Sequence, residues 1–564
     1  MQNLANLLTN VEGQGYKAYK RLQGEYQFAE FLFSIEHVQG DPFAEPSRCR
    51  IVLPLKTTAL PDRLYDNPVR RIALEDYFGR RFAAAIGAKC GGSRGSGHSG
   101  KFEIASYGQQ VLQRSSVSIN APLLEVRFQI GLPADNRRID ASLAKIMLFD
   151  ELPAIVDSAL IDIGHHMDAA EQHVNCVEDQ HYLRAQLESN NLIAFIAEGS
   201  NLARQSGVDD RPLSDAIRIK APDSIAIELP LKHHSPVVGV AFPKGVNLIV
   251  GGGFHGKSTL LRAIEQGVYD HIPGDGRELV VSDPSCFKLQ AEDGRAISGV
   301  DIQPFIQNLP GGKDCSFFTT TNASGSSSQA ASIVEAISAG VKTILLDEDT
   351  SASNFLIRDA RMQSLVPKEK EPITPLLQRI RQLHDQHDIS VVIVMGGSGD
   401  YFSVADRVVM MDSYQPVDMT SSAHALAQTP VVAESGCADI VQRSARIPVN
   451  NCLSVLGPSG KPKIKAFGTR LLQFGMEEIP LQSLEQLVDT AQLLSIGYLI
   501  ENYQQDSSSQ DNDVVAGLGR QFEQLKRNGF DSITPYPMGK LALPRLQELV
   551  AVVNRMRLLK LKPI

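Results

Sequence analysis

The sequence predicts an α/β chain, with a mostly parallel central sheet covered by helices and flanked by an N-terminal α+β domain and a C-terminal α-rich domain. Three observations predict it. Apolar strand-like runs at 246–250, 278–281, 343–346, 390–395 and 407–411 alternate with segments of helical periodicity, and strands interleaved with helices imply a parallel sheet covered on both faces. A glycine-rich turn joins the first of these runs to a helical segment, as phosphate-binding loops do. The composition, 564 residues of which 43% are hydrophobic and 21% charged, is that of a globular chain of several domains. The expected domains are 1–220, 221–425 and 426–564.

In the N-terminal region Leu4, Leu7 and Leu8, then Tyr16, Tyr19, Phe28, Phe31 and Leu32, recur at helical spacing, whereas 49–55 and 124–130 alternate or run apolar as strands do. The segment Cys90-Gly-Gly-Ser-Arg-Gly-Ser-Gly-His-Ser-Gly-Lys101 carries too much glycine and serine for a regular element and is expected to be a loop. Beyond 426 helical patterns run through 483–503, after a basic stretch, Lys461-Pro-Lys-Ile-Lys465. No run of 18 apolar residues and no secretory leader is visible. Seven scattered cysteines without a CxxC pair are expected to be reduced thiols of a cytoplasmic protein.

A net charge of -9 excludes a chain that is basic throughout, so nucleic-acid contact requires local patches. Between 67 and 101, seven basic residues stand against Glu75 and Asp76, and from 515 onward nine stand against three. Solvated faces are the alternative. Arg80, Arg81, Arg94, His98 and Lys101 are the candidate nucleic-acid contacts, the last three beside loop amides expected to be exposed.

The segment Gly251-Gly-Gly-Phe-His-Gly-Lys-Ser258 fits G-x-x-x-x-G-K-S between a strand and a helix. Glycines let backbone N–H groups turn toward phosphate oxygens, Lys257 adds positive charge, and the Ser258 hydroxyl can ligate Mg²⁺. Gly251, Gly252, Gly253, Phe254, His255, Gly256, Lys257, Ser258 and Thr259 are therefore candidate ATP contacts. A second match, Gly95 to Lys101, is followed by Phe102 in place of the hydroxyl and by a strand-like segment. It is rejected as an ATP site. The apolar run 343–346 leads into Asp347-Glu-Asp349, placing Asp347 as a metal ligand through water and Glu348 to orient or deprotonate the attacking water.

Ala323-Ser-Gly-Ser-Ser-Ser-Gln329, with Ser324 lying 23 positions before Asp347, resembles the signature of ATP-binding-cassette (ABC) ATPases, and Thr350-Ser-Ala-Ser-Asn354 stands where that family has its D-loop. Gly253-Phe-His-Gly-Lys-Ser-Thr-Leu-Leu261, Gly274-Asp-Gly-Arg-Glu278, Ala291-Glu-Asp-Gly-Arg295, Glu371-Pro-Ile-Thr-Pro375, Gly396-Gly-Ser-Gly-Asp-Tyr-Phe402 and His37-Val-Gln-Gly-Asp-Pro-Phe43 resemble the "predicted ATPase of the ABC class" family. The resemblance covers nearly the whole chain. It implies an ABC-type P-loop core, ATP and Mg²⁺ as ligands, hydrolysis to ADP and phosphate, and no membrane insertion. One relative belongs to the kinetoplastid mitochondrial RNA-editing machinery, which implies RNA as a partner.

The ABC arrangement further implies a head-to-tail homodimer in which Ser324, Gly325, Ser326 and Gln329 of one copy complete the other's phosphate loop. The chain departs from the pattern where a switch histidine is expected, reading Gly396-Gly-Ser398. Ser398 is the candidate γ-phosphate sensor; a hydroxyl carries no charge, so slow turnover is expected. Gln303 is the candidate glutamine contact to metal or water, with Gln307 as the alternative. Rival readings are a DNA-maintenance ATPase, disfavoured by the absence of coiled-coil heptads, and an ATP-dependent protein-binding switch. His165, His166, His173 and Cys176 match no standard zinc spacing.

Overall fold

The computed structural model describes residues 1–161, 166–358, 365–366, 370–427, 439–440, 445–450, 452–506 and 513–562. The chain divides into two compact units, Met1–Glu178 with Phe530–Leu543, and Asp179–Gly529 with Pro544–Ile564.

In the first unit β1 (Gly24–Gln27), β2 (Leu32–His37), β3 (Ser47–Pro54), β4 (Phe102–Glu103), β5 (Val117–Asn120) and β6 (Leu123–Ile130) form an antiparallel sheet. Its order is β1-β2-β3-β6-β4, with β5 also pairing β6. Strand β3 alternates, burying Cys49, Ile51 and Leu53. Helix α1 (Pro68–Lys89) starts where Asn67 accepts a hydrogen bond from Arg70 N at 3.0 Å and Pro68 occupies the first helical position. It buries Phe78 and Phe82, the latter ring 5.3 Å from that of Phe128 on β6; each buried phenylalanine stabilises the fold by about 2–3 kcal/mol. The helical reading of Phe28 to Leu32 is corrected. These residues form the β1–β2 hairpin, where Phe28 N donates to Phe31 O at 2.9 Å and the two rings stack at 4.7 Å. A spacing of three suits a tight turn as well as a helix.

The second unit holds an antiparallel sheet and a mostly parallel one. The antiparallel sheet contains β7 (Leu192–Ala197), β8 (Ala226–Leu229), β9 (Val237–Pro243) and, further along the chain, β11 (Val280–Ser282), in the order β8-β9-β7-β11. The parallel sheet contains β10 (Val246–Val250), β12 (Phe287–Lys288), β13 (Thr343–Asp347), β14 (Ser390–Val394), β15 (Arg407–Asp412) and β16 (Gln415–Asp418), in the order β12-β13-β14-β10-β15-β16. All its pairings are parallel except the edge hairpin β15–β16. Strands β13 and β14 are buried at every position, as parallel strands covered on both faces must be. Helices α2 (Lys257–Gln266), α3 (Gly325–Ser338) and α4 (Leu376–His387) interleave with these strands.

One strand expectation is corrected. The run at 278–281 joins the antiparallel sheet as β11, and the parallel sheet takes the two-residue β12 instead. Beyond 460, β17 (Ile464–Phe467), β18 (Leu471–Phe474) and β19 (Glu477–Pro480) make a small antiparallel sheet, followed by α5 (Thr490–Gln505) and two further helices, Val514–Asn528 and Leu546–Val553. Among the described residues no helix is long and apolar enough to cross a membrane, and the described cysteines are free thiols. The carboxyl ends of the parallel strands, where Val250, Lys288, Asp347 and Val394 stand, are where ligands bind such sheets.

Candidate functional site

The phosphate loop leaves β10 through Gly251, whose φ of +133° and closeness to Met411 admit only glycine; a side-chain carbon there would lie 2.4 Å from Met411 O. Gly256, with φ +97°, forms the turn into α2, placing Lys257, Ser258 and Thr259 in the first helical turn. The Lys257 ammonium donates to Gly251 O and Gly252 O, each at 2.8 Å, and so bridges the loop's own carbonyls. His255 is a structural link as much as a candidate ligand: its Nδ1 accepts from Ser413 N at 2.9 Å. Phe254 stands 98% exposed at the loop's tip with φ +64°. Leu202, Leu213, Ile217, Ile219 and Tyr414 line an apolar cavity of about 290 Å³, bounded also by Gly256 and Thr259. A flat apolar group attached to phosphates held in the loop fits there.

The carboxylates follow from β13. Asp347, its last residue, is 5% exposed; burial raises its pKa, while the amide of Asp349, donating to Oδ1 at 3.1 Å, opposes the shift. Glu348 opens the next turn, and its Oε2 accepts from Gly396 N at 2.6 Å and Gly397 N at 3.0 Å. A methyl group built on Gly396 would lie 3.7 Å from Glu348 Oε2 and 3.9 Å from Lys257 Nζ. The carboxylate and the phosphate-loop ammonium thus converge on one backbone position just beyond β14. One built on Gly397 would come within 3.0 Å of Glu348 Oε1, so the glycine pair makes room for the carboxylate.

Ser398 is engaged locally, donating to Asp400 Oδ2 at 2.7 Å and accepting from Asp400 N at 3.1 Å. Contact with a phosphate requires that turn to open. The contacts of Gln303 are also local: its N donates to Asp301 at 3.1 Å, and its carbonyl accepts from Gln307 Nε2 at 2.9 Å. The glutamine beside the carboxylates is Gln290. Leu289 N bonds Leu345 O at 3.0 Å and Ala291 N bonds Thr350 O at 2.9 Å, so Gln290 lies alongside the end of β13. Its amide donates to Glu485 at 3.1 Å. The sequence signal was slight: Cys286-Phe-Lys-Leu289 before the glutamine is interrupted by a lysine, and two strand residues are too few to show periodicity.

Ser324 caps α3, accepting from Ser327 N at 3.4 Å. Ser326 donates to Asn354 at 2.8 Å, and Gln329 both donates to Ser351 Oγ and accepts from Ala352 N at 2.9 Å. Gln329 is fully buried. Its expected role toward a second copy is therefore corrected: it holds the 351–354 segment against its own helix, while Ser324 and Gly325 remain at the helix start.

The Mg²⁺ expectation passes a chemical test. Ser258 and Asp347 are hard oxygen donors at the same end of the sheet, and burial raises the Asp347 pKa, a shift that a bound cation would oppose. Elsewhere, among the described residues no group of three or more His, Cys, Asp and Glu gathers for a metal, and His165 lies outside them.

The glycine-rich loop at 90–101 requires a correction. Its amides are already bonded, to the loop's own carbonyls or to neighbouring backbone: Arg94 N to Ser99 O, Ser96 N to Ala134 O, His98 N to Pro42 O, Gly100 N to Gly131 O and Lys101 N to His98 O, all within 2.8–3.3 Å. Arg94 grips Glu151 with two bonds of 2.7 and 2.8 Å. Arg80 bonds Asp76, Gly108 O and Gln110 O, and Arg81 bonds the carbonyls of Ser158 and Ala159. These guanidiniums build the domain, and all five candidates are half-buried.

Three family models tile the chain. A P-loop domain model, ABC_ATPase, matches 166–445; "ATPase of the ABC class N-terminal" matches 1–162; and "MRB1590 C-terminal domain" matches 463–562. The uncharacterized protein MJ1628 of Methanocaldococcus jannaschii is 31% identical over 278 residues, covering 48% of this chain; the chain spans 59% of that relative's length. Among solved structures, MJ1267, an ATP-binding cassette of an ABC transporter in its ADP conformation, is 10% identical with a TM-score of 0.26, covering 43% of this chain and 96% of that one. CbiO1 from Clostridium perfringens, part of the ABC transporter complex cbiONQ, is 14% identical with a TM-score of 0.26, covering 42% and 92%.

Proposed function

The chain belongs to the ABC-class ATPase family, and from that premise we propose that it binds ATP and hydrolyses it to ADP and phosphate, using the cycle to open and close a head-to-tail homodimer coupled to RNA binding or remodelling. The observation that carries the hydrolysis is the convergence of Lys257 Nζ and Glu348 Oε2 on Gly396.

In this reading the triphosphate draws the Lys257 ammonium off the Gly251 and Gly252 carbonyls, and the amides of the loop and of the first turn of α2 receive the phosphate oxygens. The base occupies the apolar cavity beside Tyr414. Ser258 and Asp347 would hold Mg²⁺, which when bound neutralises phosphate charge. Glu348 releases one or both glycine amides and turns its carboxylate to a water, orienting it and taking its proton; Gly396 N and Gly397 N then face the phosphate oxygens. A head-to-tail second copy brings Ser324 and Gly325 to the phosphates from the opposite side. The support for RNA is the family resemblance together with local positive charge on an acidic chain.

Steady-state hydrolysis with and without single-stranded RNA, using Glu348→Gln as the blank, tests this. The substitution is expected to lower hydrolysis roughly 10²- to 10⁴-fold while leaving ATP binding in place and trapping an ATP-dependent dimer. Unchanged hydrolysis in the variant removes Glu348 from the mechanism. A variant that is no more dimeric with ATP than without removes the closing dimer.

A further inference from the structure

The small sheet β17–β19 has two unlike faces. Ile464 and Ala466 of β17, Leu472 and Phe474 of β18 and Ile479 of β19 share the inner face, where Leu472, Phe474 and Ile479 are fully buried. Helix α5 covers that face so closely that a methyl group on Gly497 would lie 2.4 Å from Ile464 Cγ2. The outer face carries Lys465 and Phe467, with Gln473 and Leu471 opposite them on β18. Phe467 is 52% exposed, an unusual position for a phenylalanine on a strand.

Charge distinguishes this face from an ordinary apolar one. From 461 to 470 the chain carries Lys461, Lys463, Lys465 and Arg470 and no carboxylate, although the whole chain is at -9. Among the described residues none of the four is in an ion pair; the nearest carboxylate on the same face is Glu478, opposite Gln473 on the far strand. Lys463, Lys465 and Phe467 follow at every second residue, about 6.6 Å apart on an extended chain. The backbone at Lys463 is fixed on both sides, its N donating to Val455 O and its carbonyl accepting from Gly475 N, each at 2.8 Å. A row of cations ending in a flat ring suits a flexible polyanion that carries flat apolar groups.

We propose that the outer face of β17–β19 binds single-stranded nucleic acid, with Phe467 as a stacking platform for a base and Lys461, Lys463, Lys465 and Arg470 as contacts to the phosphates. The proposal rests on the nucleic-acid half of the reading above and is independent of the ATPase half. An anionic membrane surface also attracts cations beside an exposed ring. Cations spaced along one short segment, with one ring on its strand, match a strand of phosphates better than a lipid plane.

The test measures binding of the full chain to a labelled 16-nucleotide oligouridylate by fluorescence anisotropy across a salt series. Duplex RNA and phosphatidylserine-containing vesicles serve as competitors. Phe467→Ala is expected to weaken oligouridylate binding roughly 5- to 150-fold, the range of one lost stacking contact, and Phe467→Tyr to retain it. Lys465→Gln is expected to reduce the salt slope by about 0.7. Phe467 is half-exposed, so its truncation opens no core cavity, and the melting curve of each variant checks the fold. Single-strand binding that survives both Phe467→Ala and Lys465→Gln overturns this surface and leaves the wider reading standing. Binding of vesicles in preference to the oligonucleotide, with the same dependence on Phe467, overturns it in favour of a membrane. A wild-type chain with no affinity for the oligonucleotide overturns both the surface and the RNA half of the reading.

Discussion

Two glycine-bearing basic segments, 90–101 and 457–470, look alike in the sequence and are opposite in the structure. In the first, the amides bond carbonyls of the loop itself and of the neighbouring Pro42, Gly131 and Ala134, and Arg94 is bound twice by Glu151. In the second, Lys465 stands on a strand whose inner face is covered, with Lys461 and Lys463 just before it, and among the described residues no carboxylate pairs with them. The difference teaches that positive charge marks a binding surface only where the fold has not already supplied the counter-charge.

The glycines sharpen the comparison most. Gly131 packs against the first segment so closely that an added carbon would lie 1.8 Å from His98 O, whereas nothing lies within 4 Å of Gly468 in the β17–β18 turn. Gly131→Ala is expected to cost about 3 kcal/mol or more, because backbone must move. Gly468→Ala should cost only about 1 kcal/mol, the penalty of its φ of +58°. Equal losses in thermal unfolding would break the distinction.

Glu75 of α1 gives the next largest effect. Burial pushes its pKa up to about 7, against the hydrogen bond from Ile119 N at 2.8 Å and the charge of Arg71. Its folded pKa lies above the unfolded value, so the folded state holds the extra proton from about pH 4.5 to 7 and stability falls as pH rises through that window. Glu75→Gln is therefore expected to stabilise the chain by about 2–3 kcal/mol at pH 8 and to change it little at pH 4. A stability difference that is the same at both pH values would show that folding leaves the Glu75 pKa unshifted.

The smallest pair of effects contrasts the two kinds of cation directly. Arg94→Gln leaves Glu151 without its partner and should cost about 2 kcal/mol, while Lys465→Gln should stay within about 0.5 kcal/mol. Chemical denaturation of the two variants measures both; a Lys465 variant as destabilised as the Arg94 one would mean that the strand cation is structural too.

Much of the site was legible because it is local in the chain. The loop from Gly251 to Ser258 and the carboxylates after 343–346 each fit in one short window with its own turn chemistry. Gln290 was not legible, since the strand just before it has two residues and becomes one only by pairing with β13. Phe28 and Phe31 misled because a hairpin turn and a helical turn share the same spacing.

By itself the sequence determined the phosphate loop, the strand-to-carboxylate run, the alternation that makes a parallel sheet and the net charge, since each depends on residues near one another in the chain. Only the tertiary structure decided which glutamine stands beside the carboxylates, that Gln329 is buried, and which cations remain unpaired. Those depend on what distant segments bring alongside: Glu151 beside Arg94, Gly396 beside Glu348, and α5 beneath the strand that carries Phe467.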